Sequence, residues 1–470
     1  MPSGAAVPSA GRIEPPSGHK PVNPDLLRSY DLRGVVGRDL TEEDAYGLGL
    51  SYASAVARRG TARVAVGYDG RLSSPALEAA LAQGLADGGT AALRIGLGPT
   101  GMLYFAVHEH DLDGGIMVTG SHNPPDQNGF KLLIGKDPVH GPALAELIGR
   151  PRTARRAGSI GPLAVEERYV ARLADAAAGA PPFRIAWDAG NGAAGAVVEH
   201  LSRMLPGEHH LLNCTIDGRF PAHHPDPSVP ENLAALRATV AERGLDLGIA
   251  FDGDGDRIGV VDGGGEIVWP DQILLLLARD ILPGYPGAPI VADVKSSRVL
   301  FDGIAAAGGR PLLSRSGYVL VREAMIAAGA PLAGEMSGHI FYADRWNGTD
   351  DAIHVAMRLL GALGRSGRSL AAFRASLPRT HATPEIRLPC PDGAKATILA
   401  RVAERLERED AAIDRTDGLR VSAADGWWLL RCSGTEPKLT ARVEAWSEDA
   451  LSRLRADLFA RLAEAGLAPS

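Results

Sequence analysis

The 470-residue sequence predicts three related α/β domains in tandem, closed by a smaller α+β domain. Two observations carry this architecture. An apolar strand ending at an aspartate, followed by a turn and a helix, occurs three times at domain-sized intervals. From about Ala382 the pattern changes to strands accompanied by two helices, as in a small α+β unit.

Residues 1–27 begin with a run rich in Pro, Gly, Ser and Ala and read as a disordered tail. The first α/β domain covers 28–165. It opens with Ser29 to Gly37, in which Gly-flanked Arg33 is placed to reach an anion; alone, it reads equally as a surface arginine. Arg63 to Tyr68 is the first apolar strand, with Asp69 in its turn. The helix that follows is expected to have Ser74 as N-cap and Pro75 at its first position. Gly115 to Val118 is a further buried strand and leads into Thr119-Gly120-Ser121-His122-Asn123-Pro124-Pro125. Gly120 permits a sharp turn, and the two prolines forbid an immediate helix. Ser121 is therefore expected on a stiff, exposed loop at a strand end, where α/β proteins place their chemistry. Taken alone, the same residues make an ordinary polar turn.

The second domain, 166–266, repeats the opening with Arg184 to Asp188. Its distinctive loop follows the strand Leu245 to Phe251 and reads Asp252-Gly253-Asp254-Gly255-Asp256-Arg257. Three carboxylates spaced by glycines can fold around one hard divalent cation, with Arg257 closing the loop. An EF-hand is excluded, because its sixth and twelfth positions would be Arg257 and Gly263 here. A solvated acidic hairpin tip is the other reading.

The third domain, 267–378, opens with Pro289 to Asp293 and carries Lys295 just beyond. Its loop Gly334 to His339 offers an acceptor in Glu335, a hydroxyl in Ser337 and an imidazole in His339, the groups that vicinal sugar hydroxyls require. The last domain, 379–470, has Glu385 to Leu388, an amphipathic helix around Lys395 to Leu406, strands Trp427 to Leu430 and Thr440 to Glu444, and a helix from Ser447 to Ala465. Between those strands lies Arg431-Cys432-Ser433-Gly434-Thr435-Glu436-Pro437-Lys438. Arg431, Ser433, Gly434, Thr435 and Lys438 form a phosphate cradle. No Walker loop occurs.

Bulk properties bound the partners. Hydrophobic content of 45% and charged content of 22% are those of a globular chain, and the net charge of −7 argues against nucleic acid or anionic membrane as partner. The longest apolar stretch, Ile273 to Leu277, is far short of a membrane span. Three cysteines without a CxxC fit a cytoplasmic protein. Only six lysines stand against 43 arginines, and Lys131, Lys295 and Lys438 fall in the polar loops. A lysine retained in so arginine-rich a chain marks a position needing a compact, titratable amine.

The set Ser121 to Pro125 with Asn128-Gly129-Phe130-Lys131, Asp252 to Arg257, Glu335 to His339 and Arg431 to Lys438, in that order, resembles the α-D-phosphohexomutase superfamily. Tyr30 to Gly34, His224-Pro225-Asp226-Pro227 and Thr383 to Ile386 are similar to its bacterial phosphomannomutase/phosphoglucomutase branch. The resemblance implies mixed sheets and a central cleft between four domains. It implies reversible phosphoryl transfer between O1 and O6 of mannose or glucose phosphates, through phosphorylated Ser121 and a hexose 1,6-bisphosphate that also serves as activator. One Mg²⁺ would be held by Ser121, Asp252, Asp254 and Asp256. Arg257 and Lys131 would supply positive charge. Lys131, with its pKa expected to be lowered beside Mg²⁺ and Arg257, is the candidate general base; His122 and His339 are the runners-up. Tyr30, Arg33, Lys295, Tyr318, Glu335, Ser337, His339 and the last-domain cradle would hold substrate. A monomer or weak homodimer is implied, acting on hexose phosphates alone. Two features depart from the branch. Tyr318 stands where a substrate-contacting His is typical, and Ser433 to Pro437 resembles the phosphoglucosamine mutase cradle, although Met336 favours the mannose/glucose branch. A phosphoglucosamine mutase, or a non-catalytic sugar-phosphate-binding protein, are the alternatives.

Overall fold

The computed structural model describes residues 22–57, 61–150, 158–433 and 437–467. The described chain begins inside the expected tail. Val22 and Leu26 are buried in the first domain's core, and Pro24–Leu26 forms a 3₁₀ turn capped by the Asn23 side chain. Residues 22–27 therefore belong to the first domain; residues 1–21 lie outside the described residues.

The three aspartate-ended openings share one topology. In each, the opening strand (Arg63–Tyr68, Phe183–Asp188 or Pro289–Asp293) pairs in parallel with two others. One neighbour is the next strand in sequence (Ala91–Leu97, Gly207–Leu212 or Arg310–Ser314). The second (Gly114–Val118, Leu247–Phe251 or Leu332–Gly334) then pairs with an antiparallel return strand. Parallel pairing demands crossover helices, and the returns demand only short loops, which is why each sheet is mixed. In these three domains the Ser121 loop, the acidic loop and the Glu335 loop each sit in the turn to the antiparallel return.

The divisions expected at 165 and 378 fall between sheets, whereas 266 falls just before the edge strand Ile267–Val268, which still pairs with Ile258–Asp262. The last domain is an antiparallel sheet built around Gly426–Cys432 and Lys438–Ala445, with helices Asp392–Arg408 and Glu448–Glu464 packed on it. The helix after Asp69 runs Ser74–Asp87 with Ser73, not Ser74, at the cap position. The Ser74 hydroxyl is drawn instead to the Asp69 carboxylate, at 2.5 Å.

The first three domains share a core. Helices Thr100–Glu109, Glu166–Ala176, Pro270–Ile281 and Ala352–Ser366 contribute to one apolar cluster with Trp187, Ile249 and Phe251. The last domain has its own core and meets the third through Val294, Trp427 and Leu429. Around that contact Glu444 accepts from the Trp427 indole at 2.8 Å and the Ser297 hydroxyl at 3.0 Å. The Arg420 guanidinium lies 3.6 Å from the Trp427 ring centroid.

Asp351 ties the third domain to the second. It caps Ala352–Ser366 by accepting from the amides of Ile353 at 3.1 Å and His354 at 3.0 Å, and it accepts the Tyr169 hydroxyl at 2.9 Å. The next amide, Ala352, donates to Gly255 in the acidic loop at 3.2 Å. Burial pushes the Asp351 carboxyl up to about 7. Its folded pKa lies above the unfolded value, so its contribution is fully present below about pH 4 and is lost as pH rises through 7. Asp351→Asn should flatten the fall in thermal stability between pH 4 and 8, removing up to about 4 kcal/mol of pH dependence. Melting curves of both proteins across that range test this; parallel profiles would refute it.

Candidate active site

Ser121 leaves the fully buried strand Gly114–Val118 and takes a left-handed backbone, φ 47°. Such a conformation is strained for a non-glycine residue and persists only where the surroundings impose it. Asp69 accepts from the Thr119 hydroxyl at 2.9 Å and the Gly120 amide at 3.1 Å, and Thr119 Oγ1 accepts the Ser121 amide at 2.8 Å. Arg71 donates to the Ser121 carbonyl at 2.7 Å. Within the loop expected to be exposed, Pro124 and Pro125 are exposed but Ser121 is buried, only 3% exposed. The acidic loop covers it, so closely that a Cβ on Gly253 would lie 2.3 Å from the Ser121 carbonyl oxygen.

Ser121 Oγ donates to Asp252 at 2.8 Å and lies 3.1 Å from His122 Nδ1. Asp252, Asp254 and Asp256 are completely buried, with one oxygen of each inside a 4.8 Å span. Burial and then the carboxylates of Asp256 and Asp254 push Asp252 well above the carboxylate range. Burial also opposes charge on Asp254, but the Lys131 ammonium and the Thr100 hydroxyl hold it below that range. Lys131 comes from strand Gln127–Ile134 and ion-pairs with Asp254 at 2.7 Å and with Asp256.

The lowered pKa expected for Lys131 presumes a site holding Mg²⁺; the protein groups alone act the other way. Burial does favour the neutral amine, but Asp254 and Asp256 outweigh it and hold Lys131 well above the usual lysine range. His122 behaves oppositely: the Arg257 charge and burial keep its imidazole uncharged, well below the usual value.

The acidic loop retains donor capacity. Asp254 Oδ1 and Asp256 Oδ1 are buried without hydrogen-bond partners. Buried carboxylate oxygens are rarely left unpaired, and three convergent hard oxygen donors suit a divalent cation. The hairpin tip is not solvated.

His339 receives the Arg257 guanidinium at Nε2, 3.0 Å, and has Nδ1 2.8 Å from Asp350. Nε2 is engaged by that bond, whereas Nδ1 and the facing Asp350 oxygen, though close, form no aligned hydrogen bond. The Tyr318 ring stacks on His339 at 5.4 Å, meets Tyr30 edge-on at 5.9 Å, and has the Lys131 ammonium 5.8 Å from its centroid. Arg33 pairs with Asp31 at 2.8 Å and donates to the Thr119 carbonyl at 2.5 Å, beside the Ser121 loop. Glu335 accepts from the Gly317 amide at 2.6 Å and the Ser337 hydroxyl at 3.1 Å.

Farther off, Arg431 pairs with Asp417 at 2.9 Å, and Asp417 also accepts the Ser316 amide at 3.0 Å, so the third and last domains are linked here. Lys395 Nζ donates to the Ser433 carbonyl at 3.0 Å, and the Ser433 amide to the Lys438 carbonyl at 3.0 Å. Gly434 and Thr435 lie outside the described residues. Lys295 lies 3.8 Å from Asp293. With Ser228, Met336, Ser337, Arg379 and Arg442 it lines a cavity of about 1110 Å³ between the second, third and last domains. That is ample for a small phosphorylated ligand, since ligand pockets span roughly 300–1,000 Å³.

Sequence reasoning missed Arg71, Thr100, Asp350 and Lys395. Thr100 donates to Asp254 at 2.7 Å. Its signal was its place after Gly98-Pro99 at a strand end. Asp350 was one of an acidic pair immediately before an apolar helix.

Four successive families match this chain: phosphoglucomutase/phosphomannomutase α/β/α domain I over 24–150, domain II over 167–265, domain III over 269–381 and the C-terminal domain over 385–461. The chain belongs to the phosphoglucomutase/phosphomannomutase family of the α-D-phosphohexomutase superfamily. It is 42% identical over 433 residues to the phosphomannomutase/phosphoglucomutase of Pseudomonas aeruginosa, covering 92% of this chain and 94% of that one. It is 41% identical to a Neisseria gonorrhoeae phosphoglucomutase, covering 92% and 95%. A solved Burkholderia thailandensis structure of this family superposes with a TM-score of 0.88 at 38% identity, covering 94% and 98%. The Paramecium parafusin structure, at 17% identity and a TM-score of 0.75, shares the fold. As a member of this family the chain is an isomerase of carbohydrate metabolism. Among the described residues, no helix is long and apolar enough to cross a membrane.

The donor geometry makes a measurable claim. Asp254→Asn and Asp256→Asn should each weaken Mg²⁺ or Mn²⁺ binding about tenfold or more in calorimetric titrations of the intact chain. Unchanged affinity in both would remove the acidic loop as the cation site.

Proposed function

We propose that the enzyme moves a phosphoryl group reversibly between O1 and O6 of mannose and glucose phosphates, with Ser121 as the phosphoryl carrier. The observation that carries this reading is Ser121 Oγ, held in a strained backbone 2.8 Å from Asp252 at the mouth of a buried triple carboxylate. A binding protein would need neither the strain nor the carboxylates.

Phosphoserine would give its phosphoryl group to the sugar, producing a hexose 1,6-bisphosphate, which turns over and returns its other phosphate to Ser121. Mg²⁺, held by Asp252, Asp254, Asp256 and Ser121, would supply charge neutralisation of the phosphoryl oxygens. Lys131 keeps its proton and acts as a fixed positive charge beside the carrier. Arg257 adds a second, oriented through His339. With His339 Nε2 occupied by Arg257 and Lys131 paired with two carboxylates, the uncharged His122, 3.1 Å from Ser121 Oγ, is the group placed to accept the proton. Positioning and charge neutralisation then account for most of the rate, as in other phosphoryl transfers.

Substrate contacts fall to Tyr30, Arg33, Lys295, Tyr318, Glu335, Ser337 and His339. Arg431, Ser433, Gly434, Thr435 and Lys438 take the phosphate that is not reacting. The Ser433 to Pro437 sequence favours a second reading, a phosphoglucosamine mutase. We place the enzyme in the cytoplasm, as a monomer or weak homodimer without nucleic-acid or membrane partners; its three free cysteines support that compartment.

Coupled assays on mannose 1-phosphate, glucose 1-phosphate and glucosamine 1-phosphate, with bisphosphate activator, separate these readings. Turnover of the first two is expected. Ser121→Ala should lower it at least about a thousandfold and abolish phosphate incorporation seen by intact mass. Near-normal turnover in that variant would overturn the carrier assignment; turnover of glucosamine 1-phosphate alone would select the second reading.

A further inference from the structure

The Ser121 loop is held from behind by a residue that faces no substrate. Arg71 is 1% exposed. Its Nη2 donates to the carbonyls of Ser121 at 2.7 Å and Asn123 at 2.6 Å, and its Nη1 to those of Pro124 at 2.6 Å and Gln127 at 2.8 Å. Its Nε lies 3.2 Å from Asp69, the carboxylate that also binds Thr119 and Gly120. One flat guanidinium thus fixes four carbonyls of a single turn, a task for which its rigid fork is suited and a lysine is not. A Cβ on Gly120 would fall 2.3 Å from Arg71 Cζ, so loop and guanidinium are in direct contact.

Arg71 is itself aimed from the second domain. The Phe220 ring centroid lies 5.0 Å from Arg71 Cζ. Phe220 is 8% exposed and holds φ 50°, a conformation that is a genuine outlier for a bulky side chain. Its segment follows strand Gly207–Leu212 and is seated tightly on the Arg71 turn. A Cβ on Gly218 would fall 2.5 Å from Arg71 Cα, and one on Gly70 would fall 2.3 Å from the Ile216 side chain. The Asp217 amide donates to Asn191 at 3.0 Å, and the Phe220 amide to Asp217 at 2.9 Å, which ties the segment to the second domain's opening turn.

We propose that Phe220 and Arg71 form a brace across the interface of the first two domains that sets the position of Ser121, making both of them positioning residues for phosphoryl transfer. This rests on the reading of Ser121 as carrier. The phenyl face attracts the guanidinium and keeps water from its donors, so that all of them stay on the loop carbonyls. Seating of the second domain, which brings the acidic loop, is thereby coupled to the geometry of the nucleophile it must meet. Phe220 touches neither substrate nor metal ligand, so its effect belongs to kcat and leaves KM alone.

The test is a Phe220 series assayed beside wild type and Ser121→Ala, on whichever hexose phosphate wild type turns over. Phe220→Leu keeps apolar bulk without a π face, and Phe220→Tyr keeps the face. Phe220→Leu should lower kcat about tenfold to a hundredfold with KM within about twofold, since displacement of a reacting group by about 1 Å costs on that order. The rate at which bisphosphate phosphorylates Ser121, followed by intact mass, should fall in parallel. Phe220→Tyr should stay within about twofold of wild type in both. Wild-type kcat in Phe220→Leu, or a fall in Phe220→Tyr as deep as in Phe220→Leu, would overturn the brace. An active Ser121→Ala would instead overturn the carrier reading, whatever the Phe220 variants do.

Discussion

The structure depends on burying three aspartates in five residues of chain. Asp252, Asp254 and Asp256 have no exposed surface, and charges so close in a low-dielectric setting repel strongly. Within the second domain, compensation comes from the Arg257 charge and from the amides of Asp256 and Arg257, which donate to Asp252 at 3.0 and 3.1 Å. The rest comes from elsewhere: Lys131 and Thr100 from the first domain, and from the third His339, which accepts the Arg257 guanidinium. The acidic loop therefore holds together only if three domains converge on it. Their convergence explains why Ser121, at a strand end in the first domain, meets a carboxylate of the second at hydrogen-bond distance.

A shared framework makes that convergence rigid. The first three domains have one continuous apolar cluster, whereas the last joins through Val294, Trp427 and Leu429 with a few polar links. Fully burying a Leu or Phe side chain contributes roughly 1.5–3 kcal/mol, so the large common core can hold strained residues that a loose assembly would release. Three of these, Ser121, Asn191 and Phe220, lie on or behind the nucleophile loop. The rigid part of the molecule carries Ser121 and the acidic loop. The lightly attached part carries Arg431, Ser433 and Lys438, a division suited to a site that must admit and enclose a ligand.

Much of this was legible in the sequence. Strand alternation ending at Asp69, Asp188 and Asp293 announced the repeat, because a strand's period and a turn's residues are local properties. Glycines between Asp252, Asp254 and Asp256 announced the convergent carboxylates for the same reason. What was not legible depended on partners distant in sequence. Lys131 looked like a depressed lysine until Asp254 and Asp256, more than a hundred residues away, were seen beside it. Ser121 looked exposed because nothing local says that Gly253 will be pressed onto its carbonyl. Leu26 looked like tail because two adjacent leucines after a proline-rich run carry no periodicity. Arg71 stood in a recognised turn, but a turn arginine in a chain with 43 of them gives no hint that it will bond four carbonyls.

Tyr318 shows how an unexpected residue type can be accommodated by its surroundings. The preceding Gly317 holds φ 130°, and a Cβ there would fall 2.3 Å from the Tyr30 hydroxyl, so this glycine is required for Tyr30 and Tyr318 to meet edge-on. The Tyr318 ring then covers His339 and presents its face toward the Lys131 ammonium, near the roughly 6 Å limit for a cation–π attraction. An imidazole in its place would add a titratable group to a corner that already holds His122, His339, Lys131 and Arg257. The phenol adds none near neutral pH, since burial, foremost, and the surrounding carboxylates raise its pKa further. The corner thus gains an apolar wall beside a charged amine. Under the proposed substrate role of Tyr318, such a wall would favour the C–H face of a sugar ring over an added polar substituent and would bear on sugar choice without altering the surroundings of Ser121.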